Sequence, residues 1–185
     1  DLGLERIKSA LKAMGNPCEN IPAIHVAGTN GKGSITNFLK NTLKVAGIST
    51  GVTTSPHLTS WCERINSNGQ NITSQELRQR LIDLKPLSER FHLTPFEFLI
   101  SAAFNYFATE RIELLVLEVG LGGRLDATTA HPYRPIIAMG AIGLDHCEYL
   151  GKNLQKITKE KAAVITPGST VISAPQQQDV ANVLE

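Results

Sequence analysis

Apolar residues at Leu4, Ile7, Leu11 and Met14 recur at helical spacing, and Gly15 with Pro17 stops the run, so a first helix is predicted there. Residues 23–27 form a short apolar run that reads as a strand, followed by a glycine-rich turn over 28–34. A helix is predicted over 34–46, closed by Gly47, and a second strand over 50–54 that runs into Ser55, Pro56 and His57. Ser67, Asn68 and Gly69 separate two short apolar stretches, the signature of a hairpin or an excursion from the main sheet. Thr73 with Glu76 forms a capping box before a helix predicted to stop at Pro86. Thr94 with Glu97 forms another, with Pro95 at the first helical position, before a helix expected to reach about Glu110. Residues 114–119 and 136–142 read as further strands, 154–164 as a helix, 170–173 as a strand and 179–184 as a closing helix.

Strands that alternate with helices predict an α/β fold, a mostly parallel sheet with helices on both faces. The continuous apolar run before Glu118 suits a strand buried on both sides. There is no internal repeat and no low-complexity tract. At 185 residues the chain is sized for one domain with a real core.

Composition narrows the function. Eighteen Lys and Arg stand against 17 Asp and Glu, a net charge of +1, so the clustered basic surplus of a nucleic-acid binder is missing and no nucleic acid is expected. No apolar run approaches the ~20 residues of a membrane span, and no secretory signal is visible. Three cysteines without a CxxC pattern read as reduced thiols, so a cytoplasmic protein is expected.

The turn Gly28-Thr29-Asn30-Gly31-Lys32-Gly33-Ser34 carries the strongest chemical signal. A strand feeds it and a helix leaves it, so its N–H groups and the helix N-terminus make an anion cradle, with Lys32 as a point charge for phosphates. It is a variant of the usual phosphate loop, since two residues separate Gly28 from Gly31 and Gly33 stands between Lys32 and Ser34. The plainer alternative is a tight strand-to-helix turn with an exposed lysine. Glu118 ends a buried strand, where a carboxylate is costly unless paired or metal-bound; pairing with Arg124 is the alternative. Ser55 and His146 also follow strands, at the edge where open α/β sheets gather ligands. A hydroxyl, a carboxylate and an imidazole suit Mg²⁺ that keeps waters and phosphate ligands. The absence of cysteine pairs at ligand spacing disfavours zinc. Residues 120–129 are too glycine-rich for plain packing and read as a ligand-approaching loop. By charge pattern alone, Lys161 belongs to a solvated face.

Taken together, these strings resemble the folylpolyglutamate synthase/dihydrofolate synthase family of the Mur-ligase superfamily. The likeness rests on the turn at 28–34, on Thr54-Ser55-Pro56-His57-Leu58, on Glu63-Arg64-Ile65 and on Glu118-Val119-Gly120-Leu121-Gly122-Gly123-Arg124-Leu125-Asp126-Ala127-Thr128. Asp145-His146, Leu150-Gly151 and Glu160-Lys161-Ala162 complete it.

The resemblance implies a Mur ligase central domain-like fold and roles for individual residues. Gly28, Thr29, Asn30, Gly31, Lys32, Gly33 and Ser34 would bind ATP; Ser55, Glu118 and His146 would bind Mg²⁺; Lys32, His146 and a carbamylated Lys161 would serve catalysis. Asp1, Leu2, Thr94, Phe96, Glu97, Leu125, Asp126 and Ala127 match segments that line a pterin pocket. The implied activity is ATP-dependent joining of L-glutamate to dihydropteroate or to a reduced folate through an acyl phosphate, a step of folate biosynthesis and one-carbon metabolism, by a monomer. Thr129, Cys147, Asn153 and Ala163 depart from the family's usual residues. The family also carries a C-terminal Rossmann-like domain. Residues 1–185 therefore read as the ATP-binding portion, not expected to turn over alone, and a nucleotide-binding fragment or another P-loop NTPase or kinase is the alternative.

Overall fold

The computed structural model describes residues 3–144 and 153–185. Among these residues seven strands form one sheet: β1 (Ala23–Ala27), β2 (Thr50–Thr53), β3 (Ile65–Ser67), β4 (Gln70–Asn71), β5 (Leu114–Glu118), β6 (Ile136–Met139) and β7 (Thr170–Ser173). Their order is β4-β3-β2-β5-β1-β6-β7. The strands β2, β5, β1, β6 and β7 run parallel, and the β3–β4 hairpin extends one edge through antiparallel β2–β3 and β3–β4 pairs. The α/β expectation and its mostly parallel sheet hold.

Among the described residues six α-helices surround the sheet: α1 (Glu5–Ala13), α2 (Lys32–Val45), α3 (Ser74–Phe91), α4 (Pro95–Phe107), α5 (Leu154–Ala162) and α6 (Gln178–Leu184). Period-two alternation divides the strands between two covers. Ile24, Val26, Val52 and Val116 face α2 and meet its Ile35, Leu39 and Leu43. On the other face Leu115 and Leu117 pack with Ile7 and Leu11 of α1 and Phe104 and Phe107 of α4. Further along that sheet, Ile137 and Met139 pack with Ile157 and Val180 from α5 and α6. Deleting a buried Phe side chain of this kind costs about 3–5 kcal/mol, so α4 is a principal anchor of the domain.

Two expectations need correction. Helix α3 passes through Pro86 and ends at His92, whose φ of 52° begins a left-handed cap, with Leu93 N–H donating to Ser88 O. Proline removes one N–H, and the carbonyl it deprives is that of Ile82. Ile82 is 54% exposed, so water can satisfy that carbonyl and the helix continues. Strand β6 stops at Met139 rather than at Ile142, because Gly140 turns off to pack against the loop after β1.

The parallel registers bring the strand ends together. Val26 lies beside Glu118, Ala27 beside Met139 and Thr53 beside Leu117. The residues that follow these strands therefore share one edge of the sheet, where ligands collect in open α/β folds.

Candidate functional site

The turn after β1 is built on two glycines that touch. Gly28 has φ 132°, and a Cβ there would stand 2.9 Å from Gly140 Cα. A Cβ on Gly140 would stand 2.6 Å from Asn30 O, so neither position tolerates a side chain without moving the backbone. Thr29 and Asn30 donate their N–H groups to Ala141 O at 2.9 and 3.1 Å, and the Thr29 hydroxyl bonds with Gly143. These two residues fasten the turn to the segment after β6. The first helical bond of α2 runs from Ile35 N–H to Gly31 O, and no side chain caps the helix. The N–H groups of residues 31–34 are the ones at the positive end of α2, the arrangement that receives an anion.

Lys32 folds back over the turn, its Nζ donating to Gly28 O at 3.1 Å and Thr29 O at 3.2 Å. Lys161, on α5, is 1% exposed and donates to the same Gly28 O at 3.1 Å. The solvated face read from its charge pattern is thus corrected. The neighbouring charges Lys156 and Lys159 lie elsewhere on the turn of the helix, while Lys161 points into the core beneath the loop. Gly123 makes this possible, since a Cβ there would stand 2.7 Å from Glu160 O. Arg124 completes that dock by pairing with Glu160 at 3.1 Å, not with Glu118.

Glu118 is 3% exposed and stands at the base of α2, 3.8 Å from where a Cβ of Gly33 would be. Burial pushes its carboxyl up to about 7, against the pull of the Ser55 N–H, which donates at 3.4 Å, and of nearby Lys32. Ser55 Oγ beside it is buried with no hydrogen-bond partner among the described residues. A carboxylate short of compensating charge and an orphaned hydroxyl fit a divalent oxygen-ligated cation such as Mg²⁺. Among the described residues no three His, Cys, Asp or Glu side chains cluster as a metal site. His146, the proposed third ligand, lies outside the described residues, as do Asp1 and Leu2.

A cavity of about 600 Å³ opens on this edge. Thr94, Phe96, Glu97, Leu125, Asp126 and Ala127 all line it, and so does Ser55, which joins it to the Glu118 pair. Asp126 is spent inside the loop: Oδ2 accepts from Gly120 and Leu121 N–H at 2.9 and 3.0 Å, and Oδ1 from Thr128 N–H and Oγ1 at 3.0 and 2.6 Å. With its proton on Asp126, the Thr128 hydroxyl accepts from His25 Nε2 at 2.8 Å. His25 is fully buried on β1, and burial, then the charges of Arg134 and His131, hold it neutral by lowering its pKa well below the ordinary value. Glu97 is likewise engaged, by Thr94 N–H at 2.8 Å and by Arg6 Nε at 3.3 Å.

Sequence reading missed Arg6, Gly140 and the loop-holding role of Asp126. A glycine inside the strand expected over 136–142 was the available sign for Gly140. Nothing local marks Arg6, which pairs 91 positions away.

No family model matches the chain. It is 38% identical over 191 residues to dihydrofolate synthetase of Saccharomyces cerevisiae, covering 100% of this chain and 45% of that protein. To the dihydrofolate synthase/folylpolyglutamate synthase of Bacillus subtilis it is 36% identical over 190 residues, covering 98% and 44%. Among solved structures, Mycobacterium tuberculosis folylpolyglutamate synthase complexed with ADP superposes with a TM-score of 0.94 at 34% identity, over 100% of this chain and 44% of that one. Escherichia coli FolC in complex with DHPP and ADP gives 0.91 at 32%, over 99% and 44%. The chain spans less than half the length of the curated relatives it matches. No helix among the described residues is long and apolar enough to cross a membrane. With this sequence identity and this fold, the chain belongs to the folylpolyglutamate synthase/dihydrofolate synthase family.

Proposed function

We propose that residues 1–185 are the ATP-binding portion of an ATP-dependent ligase that joins L-glutamate to dihydropteroate, to folylpolyglutamate, or to both. The observation that carries the reading is Ser55, which stands next to Glu118 and the phosphate loop and also lines the cavity with Phe96 and Leu125. A nucleotide phosphate and the acid end of a pterin held in these two places would meet there. The solved relatives with ADP and with DHPP support both occupants.

The chemistry follows from the poor electrophilicity of a carboxylate. An oxygen of the substrate carboxylate attacks the γ-phosphorus in line, and ADP leaves. The glutamate amine attacks the resulting acyl carbon, loses a proton, and the phosphate leaves with one carboxylate oxygen, giving the amide. The chain's contribution is positioning and charge. The amides of residues 31–34 and the Lys32 ammonium hold the phosphates and offset the repulsion between two anions. Ser55 and Glu118, with His146, would hold Mg²⁺, which would supply positive charge to offset that of the phosphoryl oxygens. Lys161 as an amine fixes Gly28; carbamylated, it would carry a carboxylate to the base of the loop. Thr94, Phe96, Glu97, Leu125, Asp126 and Ala127, with Asp1 and Leu2, would shape the pterin pocket. A cytoplasmic monomer completes the proposal.

The complete gene product, given ATP, Mg²⁺, L-glutamate and either dihydropteroate or tetrahydrofolate, should release ADP only when the pterin and glutamate are both present. ADP release that ignores both, or phosphate transfer to a hydroxyl substrate, contradicts the reading.

A further inference from the structure

Among the described residues that line the cavity the cations are Arg6 and Arg64, and Arg64 has no carboxylate partner there. Among the described residues the cavity's carboxylates are Glu97, Asp126 and Glu160. Glu97 takes Arg6 and the Thr94 N–H, Asp126 takes its four loop donors, and Glu160 takes Arg124. Arg64 lines the same cavity and pairs with none of them; the ion pairs among the described residues are Arg6–Glu97, Lys85–Glu89 and Arg124–Glu160. Its sequence neighbour Glu63 is occupied by the amides of Leu58, Thr59 and Ser60.

Neutral groups hold the Arg64 guanidinium instead. Its Nε donates to His57 Nδ1 at 2.8 Å, and its Cζ lies over the Trp61 ring, 4.5 Å from the centroid; that ring itself packs against His57 at 4.7 Å. In this contact His57 Nδ1 is the acceptor. The backbone is fixed as well, with Thr54 N–H donating to Arg64 O at the start of β3. The brace uses Nε and one face of the guanidinium, and Nη1 and Nη2 make no hydrogen bond within the described residues. A planar fork held over an aromatic ring, with its terminal nitrogens unspent, is suited to a carboxylate.

We propose that Arg64 anchors the carboxylate of the molecule that fills this cavity, and that His57 and Trp61 are positioning residues which hold the fork beside Ser55. The inference rests on the ligase reading above and goes further by naming the group that brings the reacting acid to the phosphate. An apolar wall of Phe96, Leu125 and Ala127 would accept the ring system, leaving its acid end to Arg64.

Calorimetric titration of the complete gene product with dihydropteroate and with its neutral carboxamide tests this. The wild type should prefer the acid. R64Q should weaken the acid by about tenfold to a hundredfold, the worth of a charge-assisted contact, and leave the carboxamide within about threefold. R64K should restore only part of the preference, since lysine has no fork and does not stack. H57A and W61L should each lose a few-fold of acid affinity alone. Unchanged nucleotide affinity in every variant establishes folding. If R64Q binds both compounds with the wild-type preference, the anchoring role is overturned and the ligase reading stands. If H57A and W61L keep the full preference, the bracing role is overturned. If the wild type binds neither compound, the ligase reading fails and the anchor fails with it.

Discussion

Glu118 should destabilise the metal-free protein that it equips for function. Its carboxyl titrates at about 7 in the fold, against an ordinary 4.5, and burial is the main cause. Below pH 4.5 it is protonated in both folded and unfolded chains and contributes no pH-dependent difference. Between 4.5 and 7 the unfolded chain ionises while the folded one does not, so stability falls as pH rises. Above 7 the folded state bears the full cost of a buried charge. At 1.36 kcal/mol per pH unit the shift amounts to about 3 kcal/mol. Glu118→Gln keeps the shape and removes the ionisation. In urea unfolding with a chelator present, the variant-minus-wild-type stability should therefore rise by about 3 kcal/mol between pH 4 and pH 8. Subtraction cancels the other titrating groups, the buried His25 and His131 included. Mg²⁺ with a non-hydrolysable ATP analogue should then stabilise the wild type far more than the variant. A difference that stays flat with pH would refute the reasoning, because it would mean the carboxylate is already compensated within the protein.

Lys32→Ala should lower ATP-dependent turnover of the complete gene product by ~10²-fold or more, as loss of a preorganised charge donor does; near-wild-type turnover would exclude its role. Gly28→Ala places a Cβ against Gly140 at a φ of 132°, and overpacking plus backbone strain should cost about 3 kcal/mol or more, read as a fall in Tm. Asp126→Ala leaves the N–H groups of Gly120, Leu121 and Thr128 without their acceptor; a loss of about 3 kcal/mol and faster hydrogen exchange at Gly120 and Leu121 are expected, and unchanged exchange would refute the loop-holding role.

Much of the architecture is legible in local patterns. The residues at 23–27 and 170–173 are short apolar runs between turn residues, and both are strands with those bounds. The capping boxes at Thr73–Glu76 and Thr94–Glu97 start helices as written, because the cap is a contact three residues long. Pro86 misleads because its cost depends on whether the deprived carbonyl meets water, a tertiary fact. Lys161 misleads for a related reason: neighbouring charges mark a wet helix face, yet this one side chain points under the phosphate loop. The turn at 28–34 announces an anion cradle, but its pinning to Ala141 by Thr29 and Asn30 needs β6 beside β1, which only the sheet order reveals. Arg64 sits in plain sight in the sequence. What distinguishes it is that, among the described residues, no carboxylate meets it, and that emerges only when the partners of Glu97, Asp126 and Glu160 are known.

In the proposed function the γ-phosphoryl group of ATP activates the carboxylate of a pterin before glutamate adds. Dihydropteroate carrying ¹⁸O in its carboxylate, turned over by the complete gene product with ATP and L-glutamate, tests this directly. An acyl phosphate leaves one ¹⁸O atom in each phosphate released. Amide product accompanied by phosphate without ¹⁸O would contradict it.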